Sequence, residues 1–307
     1  MVASFRTACE QIISDAKARD HWRGLADRVP VIAPIVNPLA RARERAIEKT
    51  TSWLTDQVEQ PTTPLHLRDP DVPTDWPIPP HTGGCHYHLE DRPPFERIRD
   101  LGRWQDHLAL SSFRIERNST AALDVGGDRV RISDFWIDNE LEYAAYACPG
   151  SHRTYRDGYM IGGSKESTAR LYRQNYLLIE RVRFHGPRTI RADNQLKHTL
   201  RLYGASFALL IDCEFVGGRV DINGPDGSGA VFPGADVLCL RCRFHHDRTG
   251  WPLNFWATSG TIATIDCDFT SPADRPIIVQ RAGSYPCTAT HLDYGSRFNG
   301  QPYKAAA

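Results

Sequence analysis

Neither sign of charge dominates this chain: 37 Lys and Arg offset 37 Asp and Glu over 307 residues. No global field steers it toward nucleic acid or an anionic membrane. Its basic residues are dispersed, and nothing resembles a nucleic-acid module. Long apolar runs are also missing. No stretch of about 18 apolar residues occurs, so no membrane-spanning helix is expected. Arg6, Glu10, Asp15, Lys17 and Arg19 interrupt the first twenty residues, which rules out a secretion signal there. The expected place of synthesis is a cytoplasm, with incorporation into a virion or other particle as a later fate. Gly162-Gly-Ser-Lys165 is too short to match a phosphate-binding loop. No Gly-x-Ser-x-Gly elbow occurs either.

Cysteine is present in even number: Cys9, Cys85, Cys148, Cys213, Cys239, Cys242, Cys267 and Cys287. Without a secretion signal, reduced thiols are expected. Cys239 and Cys242 form a CxxC, but a zinc ribbon needs a second pair. On a strand, residues three apart would point to opposite faces.

Residues 4–28 read as helix, with Phe5, Ala8, Ile12, Ile13 and Ala16 at helical spacing. After a proline-punctuated apolar run, Asn37 is placed to cap a second helix, with Pro38 at its first position. Leu39, Ala42, Ala46, Trp53 and Leu54 fall on one face, and Pro61 marks the end. Residues 1–60 thus form a helical segment. Residues 61–107 are a proline-rich linker or capping segment, because proline fixes φ and removes a donor. The segment before residue 100, including the second helix, is expected to cover the exposed end of the domain that follows.

From about residue 108 the pattern changes to short β-rich runs with a recurring ending. The copies are Ile132-Ser-Asp-Phe-Trp-Ile137, Ile179-Glu-Arg-Val-Arg-Phe184, Ile211-Asp-Cys-Glu-Phe215, Leu240-Arg-Cys-Arg-Phe244 and Ile265-Asp-Cys-Asp-Phe269, with a looser one ending at Phe298. Most ends lie about 25 to 31 residues apart, a solenoid period. One gap is nearly double and reads as a loop inserted around residues 138–158. Period-2 alternation would put Ile211, Cys213 and Phe215 on one face, buried only when turns stack. Cys213, Cys242 and Cys267 should form one internal column, and Phe184, Phe215, Phe244 and Phe269 another. These patterns predict an all-β solenoid of about six turns over residues 108–300, with a tail at 301–307.

Each period holds a second strand upstream. If Leu123, Leu200, Val220, Leu253 and Ile277 face inward, then Asp124, Arg201, Asp221, Asn254 and Ile278 line up outside. Gly126, Tyr203, Asn223, Trp256 and Gln280 form a parallel column. Stacked turns lie about 4.8 Å apart, so Arg201, Tyr203, Asp221, Asn223, Asn254 and Trp256 make one candidate patch. Aromatic faces and polar groups together suit a sugar chain. The plainer alternative is a surface ion pair between Arg201 and Asp221, with the aromatics covered by the N-terminal helices. A register slip of one residue would exchange the two faces.

The repeated I-x-C-x-F endings and turns such as Asn223-Gly-Pro-Asp-Gly-Ser-Gly229 resemble the pectate-lyase-like right-handed parallel β-helix superfamily. That resemblance covers about residues 108–300. It implies a right-handed β-helix and a polysaccharide partner. For a lyase it implies a base and acidic calcium ligands, for which Arg201, Asp221 and Asp226 are the candidates. A hydrolase would need paired carboxylates, for which Asp221 and Asp226 are the nearest. The Gly-His-Gly and Arg-x-Lys elements of polygalacturonases are absent, as is the Asp-Pro-His-Glu element of alginate epimerases. Likeness to phage tailspikes implies a second reading, a structural appendage docked through its N-terminal helices as a homotrimer or larger assembly.

His81, Cys85, His86 and His88 have the only metal-like spacing, with Glu90 or Asp91 as a further ligand. A polar turn is the default there. His185 and His245 each follow a repeat phenylalanine and echo the repeat.

Overall fold

The computed structural model describes residues 4–59, 85–88, 109–117, 121–125, 130–139, 143–147, 152–162, 167–172, 176–186, 198–203, 206–222, 235–247, 251–256, 259–280 and 288–303. Helix α1 spans Phe5–Arg28, and the Ser4 hydroxyl accepts from the Thr7 N–H at 3.2 Å. Phe5, Ala8, Ile12, Ile13 and Ala16 are buried, as their spacing predicts. Helix α2 spans Ala33–Val58. It starts ahead of the expected Asn37 cap, because a 3-10 turn at Pro30–Ile32 leads directly into it. Pro38 therefore lies inside the helix, where its missing N–H removes one intrahelical bond. The buried face is Val36, Ala40, Ile47, Thr51, Leu54 and Val58. Of the expected face only Leu54 is fully buried.

The strands alternate between two sheets. β1 (Cys85–His88) and β2 (Ala109–Arg117) lie in sheet A, β3 (Ala121–Val125) in sheet B, β4 (Arg131–Asn139) in A and β5 (Tyr143–Ala147) in B. The alternation continues through β6 (Arg153–Ile161), β7 (Ser167–Tyr172), β8 (Tyr176–His185) and β9 (His198–Tyr203). Thereafter each pass through sheet A is a broken pair. These are β10 (Phe207–Ile211) with β11 (Glu214–Val216), β13 (Asp236–Leu240) with β14 (Arg243–His245), and β16 (Thr261–Ile265) with β17 (Asp268–Thr270). Each pair is followed by a sheet B strand: β12 (Arg219–Ile222), β15 (Leu253–Trp256) and β18 (Ile277–Gln280). β19 (Thr290–Tyr294) and β20 (Arg297–Phe298) make the last pass, and β21 (Gln301–Pro302) folds back on β20. Among the described residues all pairings are parallel except that last one.

Residues 138–158 are not an inserted loop. β5 and β6 are a full pass that the repeat pattern does not reveal, because Gly158 and Met160 stand where the next pass has Val182 and Phe184. β2 is another such pass, so the stack is deeper than expected. A Cβ on Gly158 would sit 2.2 Å from the Phe135 ring, which fills the space a side chain would take. The phenylalanine column is as predicted. Phe184, Phe215, Phe244 and Phe269 are fully buried and stack face to face, with centroids 5.1, 5.0 and 4.9 Å apart.

One left-handed residue breaks each of the six successive passes through sheet A from β4 to the β16–β17 pair. Asp134, Asp157, Arg181, Asp212, Arg241 and Asp266 all have φ between 49° and 53°. Asp tolerates this conformation better than most residues. The break changes which residues face inward. Leu210 points into the core between the sheets, whereas Ile211 lies on the outer face of sheet A. The simple alternation of Ile211, Cys213 and Phe215 therefore does not hold, although Cys213 and Phe215 are internal as expected. Cys239 and Cys242 both point inward for the same reason. Where charges alternate at this corner they pair: Arg181 Nη2 donates to Asp157 at 2.9 Å, and Arg241 donates to Asp212 through Nε at 2.7 Å and Nη2 at 2.8 Å.

Three internal thiols, those of Cys213, Cys242 and Cys267, each satisfy a carbonyl of the preceding pass, which a buried backbone group requires. Cys213 Sγ donates to Ile179 O at 3.3 Å, Cys242 to Leu210 O at 3.2 Å and Cys267 to Cys239 O at 3.3 Å. Ser296 continues the series on Thr264 O. Burial pushes the Cys239 and Cys242 thiols well above their ordinary value.

The helices lie along the outer face of sheet A. They bury Leu178, Leu209, Leu238 and Ala263, together with Ile211, Leu240 and Ile265, beneath Phe5, Ile12, Ile47 and Leu54. Arg19 is buried at this junction and reaches Asp266 at 3.0 Å and Glu44 at 3.3 Å. Helix α1 meets β13, β16 and β19, while α2 meets β8. The helices thus clad the side of the stack, contrary to the expected covering of its N-terminal end. The far end is closed by polar substitution. His291 and Asp293 take the inward positions that Ile262 and Thr264 hold in the pass before. β21 covers the last edge and ends on Pro302, which cannot extend the ladder.

Candidate functional site

The outward face of sheet B carries the polar residues singled out from the sequence. Register places Arg201 beside Asp221, Asp221 beside Asn254 and Asn254 beside Ile278. Arg170 of β7 precedes Arg201, and Tyr146 of β5 precedes Arg170. Asp124 is thus separated from Arg201 by two strands that the sequence pattern did not reveal. Trp256 stands beside Gln280, and Tyr203 beside Tyr172. Asn223 and Asp226 lie outside the described residues, as do His81, Glu90 and Asp91. Cys85, His86 and His88 form β1, paired with β2.

The middle of this face is buried. Asp221 and Asn254 are each 1% exposed, the Arg201 side chain is 11% exposed and Trp256 is partly exposed. The N-terminal helices do not provide this cover, since they lie on sheet A. Asp221 is the hub. Its Oδ2 accepts from Arg219 Nη2 at 3.0 Å, and Arg201 Nε lies 4.0 Å away. His198, which the sequence reading passed over, is buried beside it. A backbone irregularity between β9 and β12 places His198 opposite Arg219 and turns it outward. Its Nε2 is 2.9 Å from both Arg219 Nε and Asp221 Oδ2.

Burial pushes the His198 imidazole below its ordinary value, and the nearby Arg219 and Arg201 add to this, against the pull of Asp221. A neutral ring can accept from Arg219 or donate to Asp221 through that nitrogen, not both. Burial alone would raise the Asp221 carboxyl. Contact with His198 and the charges of Arg219 and Arg201 outweigh it and hold the carboxyl at about 2. Arg170 is linked to the same face, with Nη1 3.0 Å from the Tyr143 hydroxyl. Trp256 Nε1 is buried and meets no acceptor.

Ser167 pairs in register with His198, and its buried hydroxyl has no partner. It therefore makes no hydrogen bond to the imidazole, and a Ser-His-Asp relay is not assembled. Among the described residues, no group of three or more His, Cys, Asp or Glu could hold a metal ion. No described helix is long and apolar enough to cross a membrane.

No protein-family model matches the chain, and neither a curated protein nor a solved structure matches it. The strand-rich architecture with parallel sheets and an N-terminal helix pair is compatible with the β-helix resemblance.

Proposed function

We propose that the stacked strands form a right-handed parallel β-helix of the pectate-lyase-like kind, and that the outward face of sheet B binds an acidic polysaccharide. Parallel strands joined by crossovers in one sheet are right-handed in about 98% of cases, which supports the handedness. Trp256 carries the ligand reading. It is a partly exposed indole on the outward face, two residues from Asn254 and close to the Arg201–Asp221 pair. A sugar ring would stack on the accessible part of the indole.

Roles divide by exposure. Trp256 is partly exposed and the Arg201 side chain retains 11% of its surface, so these two are the proposed contact residues. Arg201 would hold a ligand carboxylate in paired hydrogen bonds. Asp221 and Asn254 are buried and position them, with Tyr203 and Asn223 as the flanking candidates. The set suits binding better than elimination. An arginine is a cation at ordinary pH, and an Asp221 carboxyl held at about 2 does not take a proton near neutrality. Arg201 as base therefore ranks below the binding role, as does Asp221 as calcium ligand, because its carboxylate is buried and engaged by Arg219 and His198.

The test screens the whole chain against acidic and neutral polysaccharides, then repeats it with Arg201→Ala and Trp256→Ala. Either substitution should weaken binding of the acidic ligand by roughly tenfold to a hundredfold. A ligand whose affinity neither substitution changes binds elsewhere and refutes the assignment.

A further inference from the structure

The helical hairpin outruns the sheet it lies on. Phe5, at the start of α1, packs on Phe207 of β10. Further along α1, Asp20 accepts from the Tyr294 hydroxyl of β19 at 3.0 Å, and Lys17 lies over the same ring. The helix side of the core shared with sheet A comes from residues 5–16 and 47–58, and none of residues 17–46 belongs to it. From Asp20 to its end at Arg28, α1 rises about 12 Å more. The turn at Pro30–Ile32 and the start of α2 therefore stand clear of the stack.

What stands there is uncharged and apolar. Residues 29–40 contain no Asp, Glu, Lys or Arg. Val31 is 83% exposed, Ile35 69%, and Val29 and Leu39 41% each. Among residues 34–40 of α2 only Val36 and Ala40 are buried, so the exposed arc takes in more than half of the helix circumference. A partner helix covers one stripe of a helix. A lipid phase covers every side at once.

The backbone of the tip suits the same medium. Lipid offers no hydrogen-bond partner, so a segment that enters it must satisfy its donors internally. Val29 N–H donates to Leu25 O at 2.9 Å, Ile32 N–H to Val29 O at 3.0 Å and Ala33 N–H to Pro30 O. Pro30, Pro34 and Pro38 have no N–H to satisfy. Behind the tip Trp22 is partly exposed, where an indole would meet the headgroup boundary. Between residues 22 and 46 lie Arg23, Arg28, Arg41, Arg43 and Arg45 against the acids Asp27 and Glu44. Glu44 is held by Arg19 and Arg23, and Arg43 by Asp15, while Arg41 and Arg45 are exposed. This local excess adds attraction to anionic headgroups, which the neutrality of the whole chain does not oppose. The uncharged tip, more than this charge, identifies a lipid surface.

We infer that the tip of the helical hairpin inserts into the interface of an anionic lipid bilayer, with Val29, Val31, Ile35 and Leu39 among the upper acyl chains and Trp22 and the flanking arginines at the headgroups. It is an interfacial anchor, since no described helix is long and apolar enough to cross a membrane. This does not depend on the saccharide reading.

The test sediments the full-length chain with vesicles of phosphatidylcholine containing phosphatidylserine, and with vesicles of phosphatidylcholine alone. The chain should bind the anionic vesicles, less at higher salt, and the neutral ones more weakly. Val31→Asp with Ile35→Asp should weaken binding to the anionic vesicles by roughly tenfold or more. Both side chains are exposed, so circular dichroism and thermal unfolding should be unchanged. Val31→Leu should retain binding. Arg41→Glu with Arg45→Glu should remove the preference for anionic vesicles. No binding to the anionic vesicles, or binding that Val31→Asp with Ile35→Asp leaves unchanged, would overturn the inference. So would dimers in sedimentation velocity that the same variant dissolves, since the tip would then be a contact between copies.

Discussion

The phenylalanine column offers the sharpest perturbation of the fold. Phe244 is 1% exposed and lies between Phe215 and Phe269, with centroids 5.0 and 4.9 Å away. Truncating it to alanine removes a ring with neighbours on both faces and leaves a cavity that rigid strands above and below cannot fill. Such truncations cost about 3 to 5 kcal/mol, and the sandwiched position belongs near the upper end. Phe298 ends the same column, with only one ring-bearing neighbour in register and partial exposure. Phe298→Ala should cost roughly 1 to 2 kcal/mol, close to the area lost from water. Urea unfolding followed by circular dichroism measures both. A double-mutant cycle on Phe215 and Phe244 should yield a coupling of about 0.5 to 1.5 kcal/mol. Equal costs at 244 and 298, or a cost at 244 below about 1 kcal/mol, would refute the stacked register.

Gly158→Ala should destabilise by more than about 2 kcal/mol, since its methyl meets the Phe135 ring at 2.2 Å; Gly158→Ala with Phe135→Leu should recover part of that loss in thermal unfolding. Arg241 has φ 52°, so Arg241→Gly should be nearly neutral, while Arg241→Val should cost roughly 1 to 3 kcal/mol; equal effects would remove the case for a left-handed corner. Burial lowers the His291 imidazole to about 4, so the unfolded chain binds the extra proton between about pH 6.5 and 4. Stability should therefore fall by about 3 kcal/mol as pH drops through that window, and His291→Gln should flatten the slope in chemical denaturation across pH.

How much of this was legible beforehand depended on the chemistry of each turn. The endings at Phe184, Phe215, Phe244 and Phe269 announce themselves because an aromatic column needs the same residue in every pass. The pass through β6 is silent because Gly158 and Met160 fill the same column with different shapes. The facing of Ile211 was misread because one left-handed residue at Asp212 resets the alternation, and nothing in an Asp marks it as a corner. Exposure of Leu39 and Ala42 on α2 could not be read from spacing alone. Leu39, Ala42 and Ala46 sit at sound helical intervals, but α1 and sheet A take the other side. On sheet B, strict alternation from Leu200, Val220 and Leu253 sufficed to align Arg201, Asp221 and Asn254. His198 was missed because a backbone irregularity turns it to the outward face.

The most direct test of the proposed function is a calorimetric titration with matched oligosaccharides, one of galacturonate units and one with the same units methyl-esterified. The two share ring shape and length and differ in charge, so the comparison isolates what Arg201 would recognise. Binding of the acidic chain, weakened by salt and lost in Arg201→Ala, with little or no binding of the ester, is the predicted result. Equal heats for both chains, or acidic binding that survives Arg201→Ala unchanged, would contradict it.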